Sequence, residues 1–82
     1  MRLDKFLKVS RLIKRRTLAN EACDRGLVSV NGKVQRASYD VKIGDQLTLN
    51  FGEHSVTVEV LEIRESVAAG EAALLYKEIS RT

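Results

Sequence analysis

Only a few side chains in this 82-residue sequence could carry proton-transfer or nucleophilic chemistry, and each stands alone. His54 is the single histidine, set in the polar stretch Gly52-Glu53-His54-Ser55 with neither a second imidazole nor a cysteine near it in sequence, so it reads as a solvated turn residue and not a metal ligand. Cys23 is the single cysteine; it cannot form an internal disulfide, and its helical, apolar setting predicts a buried, inert thiol in a reducing compartment. The acids of the second half are scattered where strands and turns are expected, and no pair of them is placed for general acid and base work. The five glycines are isolated and make no Walker-type phosphate loop. These spacings predict no enzyme, no cofactor and no metal.

The residues that do form a pattern are cations, and their chemistry is the binding of phosphate. Arg2, Lys5, Lys8, Arg11, Lys14, Arg15 and Arg16 fall within the first seventeen residues, with Lys33 and Arg36 farther on. Residues 1–36 hold ten Lys and Arg against three acids, for +7, while residues 37–82 hold four against eight, for −4; together they give the net charge of +3. From Arg11 to Arg16 there are four cations and no acid. A surface built only for solubility mixes its signs, and a like-charged run of this density is relieved by a polyanionic partner. Asp4, the one acid in the basic segment, is expected to have a structural part, favouring the helix dipole and pairing with Lys8 at i+4. Phe6, Tyr39, Phe51 and Tyr76 are too dispersed for a sheet that stacks single-stranded bases.

The elements that must position these cations follow from periodicity. Leu3, Phe6 and Leu7 at i, i+3 and i+4 lie opposite Arg2, Lys5 and Lys8, which predicts a short amphipathic helix. Val9, Leu12 and Ile13 repeat the spacing across from Arg11, Lys14 and Arg15, so helical character is expected to continue. Thr17 is the expected N-cap of a second helix reaching about Arg25, burying Leu18, Ala22 and Cys23 and ended by Gly26; Arg16 would then precede its N-terminus, where backbone N–H groups suit a phosphate. From Leu27 the period becomes two. Val28, Val30 and Val34 alternate around Asn31-Gly32, a pair suited to a tight hairpin turn, and a second turn at Ile43-Gly44-Asp45 leads to Leu47-Thr48-Leu49 and to Val56, Val58 and Val60. The Ala-rich tail from Ser66 predicts a short helix. The whole is an α+β unit, read as residues 1–65 with their sheet and a part-helical extension over 66–82.

The longest uninterrupted apolar run, Ala72–Tyr76, is far below the roughly 18 residues needed to cross a bilayer. The N-terminus has no apolar signal-peptide core, and the basic helix has too few apolar residues and no Trp for an interfacial anchor. The expectation is a soluble, cytoplasmic monomer.

The order Arg2-Leu3-Asp4, Leu7, Ser10-Arg11, Thr17-Leu18-Ala19, Gly26, Val28-Ser29-Val30-Asn31-Gly32 and Gly44-Asp45 resembles the S4 RNA-binding domain. Residues 1–19 and the Ala72-Ala73-Leu74-Leu75-Tyr76 tail are most similar to the small stand-alone S4 proteins of bacterial ribosome-associated quality control, the RqcP type, relatives of the heat-shock S4 protein of the large subunit. The resemblance implies the α-L fold, two packed helices followed by a small antiparallel sheet, with structured RNA on the helical face. It further implies binding between large-subunit rRNA and tRNA on stalled, split ribosomes, in support of C-terminal alanine tailing by a partner of the NEMF type.

The expected function is therefore a non-enzymatic RNA-binding adaptor contacting phosphates and RNA shape through Arg2, Lys5, Lys8, Arg11, Lys14, Arg15, Arg16 and Lys33. Its rivals are a general S4 module in ribosome assembly or large-subunit recycling, and a basic helix-turn-helix DNA binder. The second is disfavoured because the helix that would enter the major groove carries Glu21 and Asp24. An RNA-modifying enzyme reduced to its S4 module is disfavoured by length.

Overall fold

The computed structural model describes all 82 residues: α1 (Leu3–Val9), α2 (Arg16–Asp24), β1 (Val28–Val30), β2 (Lys33–Val34), β3 (Gln46–Phe51), β4 (His54–Val60), a 3-10 turn (Ala72–Leu75) and β5 (Tyr76–Arg81). The strands form one antiparallel sheet in the order β2-β1-β3-β4-β5, and the two helices pack against each other. This is the expected α+β plan.

Helix α1 turns Leu3, Phe6 and Leu7 fully inward, as their spacing requires. Its first N–H groups have no capping side chain of the usual kind; the Leu3 N–H donates to the Tyr39 carbonyl at 2.8 Å and the Asp4 N–H to the Ala37 carbonyl at 3.2 Å. The 37–41 loop thus satisfies donors that a helix start leaves orphaned. The expected continuation of helix past Val9 does not occur. Ser10 is buried with its hydroxyl donating to the Leu7 carbonyl at 3.2 Å, and Arg11 takes the left-handed conformation, φ 62°, which turns the chain so that Leu12 and Ile13 pack against the core. Helix α2 begins at Arg16 with Arg15 at its N-cap, so Thr17 is not the cap and Arg16 lies inside the helix. Ala19 and Cys23, four apart, form its buried stripe; Leu18, one step away around the helix, is 48% exposed. Gly26, at φ 73°, ends the helix in the conformation that favours glycine.

Asn31 and Gly32 both have positive φ, 52° and 85°, the turn that matches strand twist, with Val30 paired to Lys33. That two-residue turn puts Val34 opposite Ser29 on the solvent face, so it does not join Val28 and Val30 in the core. The core face of the sheet is Val28, Val30, Leu47, Leu49, Val56, Val58 and Val60. On the other face Ser29, Thr48, Thr57 and Ser80 lie side by side across four strands, with the Thr48 and Thr57 hydroxyls bonded at 2.9 Å. Asp45 ties the turns together, accepting from Asn31 Nδ2 at 3.0 Å, the Tyr39 hydroxyl at 2.9 Å and the Lys42 N–H at 2.9 Å.

The helix expected after Ser66 is only the 3-10 turn, which buries Ala72 and Leu75. Beyond it β5 pairs with β4, with a register shift between Thr57 and Val58, so that β4 is hydrogen-bonded on both sides and β5 forms the edge of the sheet. No helix is long and apolar enough to cross a membrane.

Cys23 is buried, and that burial, followed by the charges of Asp4 and Asp24, pushes its thiol up to about 11. The thiol is therefore protonated and unreactive at neutral pH. Leu7→Ala should cost about 2 to 5 kcal/mol, as measured by denaturant unfolding, because Leu7 is fully buried under the sheet. A cost below about 1 kcal/mol would mean that α1 does not contribute to the core as described.

Candidate nucleic-acid interface

Asp4 sits where α1 meets α2 with its side chain only 3% exposed. Arg2 Nε and Nη2 donate to its two carboxylate oxygens at 3.1 and 3.2 Å, Asn20 Nδ2 donates at 3.2 Å, Arg16 Nη2 approaches at 3.5 Å, and the Lys5 N–H donates at 2.8 Å. The expected pairing with Lys8 is not made; a buried carboxylate takes the two guanidinium groups, which offer planar donor forks where lysine offers a point charge. Burial by itself would push the Asp4 carboxyl up, but the hydrogen bonds from Arg2 and Asn20 and the charges of Arg16 and Arg2 outweigh it and bring it down to about 2. Arg2 and Arg16 keep about half of their side-chain surface in solvent, at 48% and 49%. Each arginine thus reaches Asp4 with its guanidinium while about half of its side chain stays in solvent.

The remaining cations divide by element. Lys8 on α1 and Arg11 and Lys14 in the turn after it line one concavity together with Glu65, Ser66 and Val67. Arg15 stands exposed at the N-cap of α2, where the N–H groups of Arg16, Thr17 and Leu18 find no backbone acceptor in the chain. Lys5 is engaged with Glu65, so it is less free than its position on the helix suggested. Lys33 lies on β2 and lines neither concavity; it stands apart from the helical cluster. Arg36 lines a broader, shallow basin with Arg2, Asn20, Gln35 and Ser38. Of the eight residues selected from sequence, Lys8, Arg11, Lys14, Arg15 and Lys33 have no ion pair in the chain, while Arg2, Lys5 and Arg16 have one.

Three contributors were not visible in the sequence pattern. Asn20 lies 16 residues from the carboxylate it bonds, and Glu65 lies 60 from Lys5. The one available signal for Asn20 was its place one turn after Arg16, on the same face of α2. Ser66 carried no signal.

The S4 domain model matches residues 1–47, and the chain belongs to that family. It is 59% identical over 76 residues, 93% of this chain and 88% of the relative, to the RQC P-site tRNA stabilizing factor of Bacillus subtilis. It is 57% identical over 77 residues, 94% of this chain and 88% of the relative, to the protein of the same name from Halalkalibacterium halodurans. Among solved structures it resembles the trimeric Heat Shock Protein 15 of Vibrio cholerae with a TM-score of 0.89 and 37% identity, over 98% of this chain and 82% of that one.

The Asp4 cluster has a pH signature. Because the folded-state carboxyl lies at about 2, below its unfolded value near 4, its stabilising contribution is full above pH 4 and is lost as pH falls through 2. That contribution is on the order of 2 kcal/mol. Asp4→Asn should therefore be less stable than the native sequence at pH 6, with the gap closing between pH 4 and pH 2 in urea titrations. A gap that stays constant across that range would show that the carboxylate charge is not what holds the arginines.

Proposed function

We propose that this protein is a non-enzymatic RNA-binding adaptor of ribosome-associated quality control, which sits between large-subunit rRNA and tRNA on stalled, split ribosomes and supports alanine tailing of the nascent chain by a NEMF-type factor. The observation that carries the reading is the pair of half-exposed arginines, Arg2 and Arg16, set on a buried Asp4 at the edge of a run without acids. Fixing a guanidinium before binding lowers the ordering cost of a phosphate contact, and two of them a fixed distance apart recognise folded RNA by shape. The names of the relatives, factors that stabilise a P-site tRNA, support the same reading for the chain's partner. Lys5, Lys8, Arg11, Lys14, Arg15 and Lys33 add phosphate contacts around that pair, and the work is done by contact alone, in the cytoplasm.

With about five phosphates neutralised, the log–log salt slope for structured RNA should be roughly −3 to −5. Duplex DNA of equal length should bind more weakly, and a nearly flat salt dependence would contradict the phosphate reading.

In cells the protein should co-sediment with free large subunits and with subunits carrying stalled chains, and be scarce on translating ribosomes. Lys14→Glu with Arg15→Glu should weaken this association strongly with little change in thermal stability, because neither side chain has a partner in the fold and exposed charges contribute little to folding. Arg2→Ala or Arg16→Ala should reduce alanine tailing and release the protein from large subunits, with some loss of stability since Asp4 is left short of a donor. Normal tailing in cells lacking the protein, or sedimentation only with small subunits, would sink the quality-control assignment and leave a plain S4 module.

A further inference from the structure

The junction between the helices is closed on one side by a stretch of chain that the RNA reading above does not use. Lys8, Arg11 and Lys14 look across a depression of about 340 Å³ at Ser66 and Val67, contributed from beyond β4. None of the three cations has an acid partner; Glu65, the only acid of the lining, is engaged with Lys5. Val9 and Val67 form apolar parts of the wall, which strengthens charge interactions inside relative to open solvent. Three like charges brought to one concave surface repel each other, and the one acid there, Glu65, is paired with Lys5 and not with any of them.

Arg11 adds an independent observation. It occupies the position just after the helix cap at φ 62°, in the left-handed region where glycine is the usual occupant and any side chain is strained. Its N–H donates to the Lys8 carbonyl at 3.0 Å, so the backbone requirement is that of an ordinary helix end, which glycine would meet without strain. An arginine in that place brings a cation to the depression that glycine would not supply. Strained backbone of this kind clusters at ligand clamps and other functional sites.

We infer that this depression seats a backbone phosphate of the bound RNA, held by Lys8, Arg11 and Lys14, with the Ser66 hydroxyl as a fourth donor. The Lys5–Glu65 pair sets the segment that carries Ser66 beside α1, which brings that segment to the RNA face. The inference rests on the RNA-binding reading and adds to it a defined subsite built from residues 8–14 and the segment after β4.

The test uses the full chain and fluorescently labelled purified tRNA as the probe, with melting temperature measured on every variant. Ser66→Glu places an acid in the seat; it should weaken binding roughly tenfold and reduce the salt slope by about 1. Ser80→Glu, an identical charge change on β5, should weaken binding less than about twofold. Arg11→Gly should weaken binding to a similar degree as Ser66→Glu while its melting temperature stays level or rises, since relief of the left-handed strain offsets the greater flexibility of unfolded glycine. Arg11→Lys should retain most of the affinity. Equal weakening by Ser66→Glu and Ser80→Glu would reduce the effect to net charge and overturn the seat, as would a fall in the Arg11→Gly melting temperature that accounts for its lost binding. If the native protein binds neither tRNA nor large-subunit RNA, the broader reading fails first.

Discussion

A carboxylate taken out of water must be matched by donors and positive charge, and at Asp4 that requirement is met by two arginines, with consequences for everything around it. The match draws on Arg2 ahead of α1, on the Lys5 N–H within α1, and on Arg16 and Asn20 in α2. It therefore fixes the angle between two helices that are individually too short to be stable in water. It also fixes two arginines that are half in solvent, so the group that secures the helix pair is the one that arranges the candidate contact surface. Removing Asp4 would leave the cations in the sequence and lose their geometry.

The sheet has its own counterpart in Asp45. Desolvation opposes its charge, but donors from Lys42, Asn31 and Tyr39 hold its carboxyl below the usual carboxylate range. Tyr39 in turn lends its backbone carbonyl to the first N–H of α1, and the Met1 carbonyl accepts from the Val41 N–H. The 37–45 loop thus connects the two acidic centres: one end caps the helix that carries Asp4, and the other closes the turn that Asp45 organises. Helix pair and sheet thus share one core, to which Phe6 and Leu7 contribute.

What could be read from sequence was what depends on near neighbours. Leu3, Phe6 and Leu7 declare a helix face by spacing alone, and Asn31-Gly32 declares a hairpin because both residues tolerate positive φ. The cations of the first seventeen residues were legible as a set for the same reason. The break after Val9 was not legible, because it is made by a left-handed arginine with no glycine or proline to mark it. Nor were the partners of Asp4 on α2, since Arg16 lies 12 and Asn20 16 residues away and both become its neighbours only after the chain reverses. The tail misled in the opposite way: Ala68, Ala69, Ala72 and Ala73 favour helix locally, but the chain beyond them pairs along β4, and tertiary pairing overrode propensity. Ser66 was invisible because a lone serine has no pattern.

The separation of charge between the two halves of the chain has a further consequence, which is kinetic. Seven excess positive charges belong to residues 1–36, which form the helices and the first hairpin, and four excess negative charges to residues 37–82. A body with its charges so divided experiences a torque in the field of a polyanion, and it turns its helical side forward while still a Debye length away. Approaches led by the acid-bearing loops of residues 37–82 gain less from that field, so a larger share of encounters arrives already oriented. The acids of the second half need touch nothing to matter; they act as the tail of a compass needle.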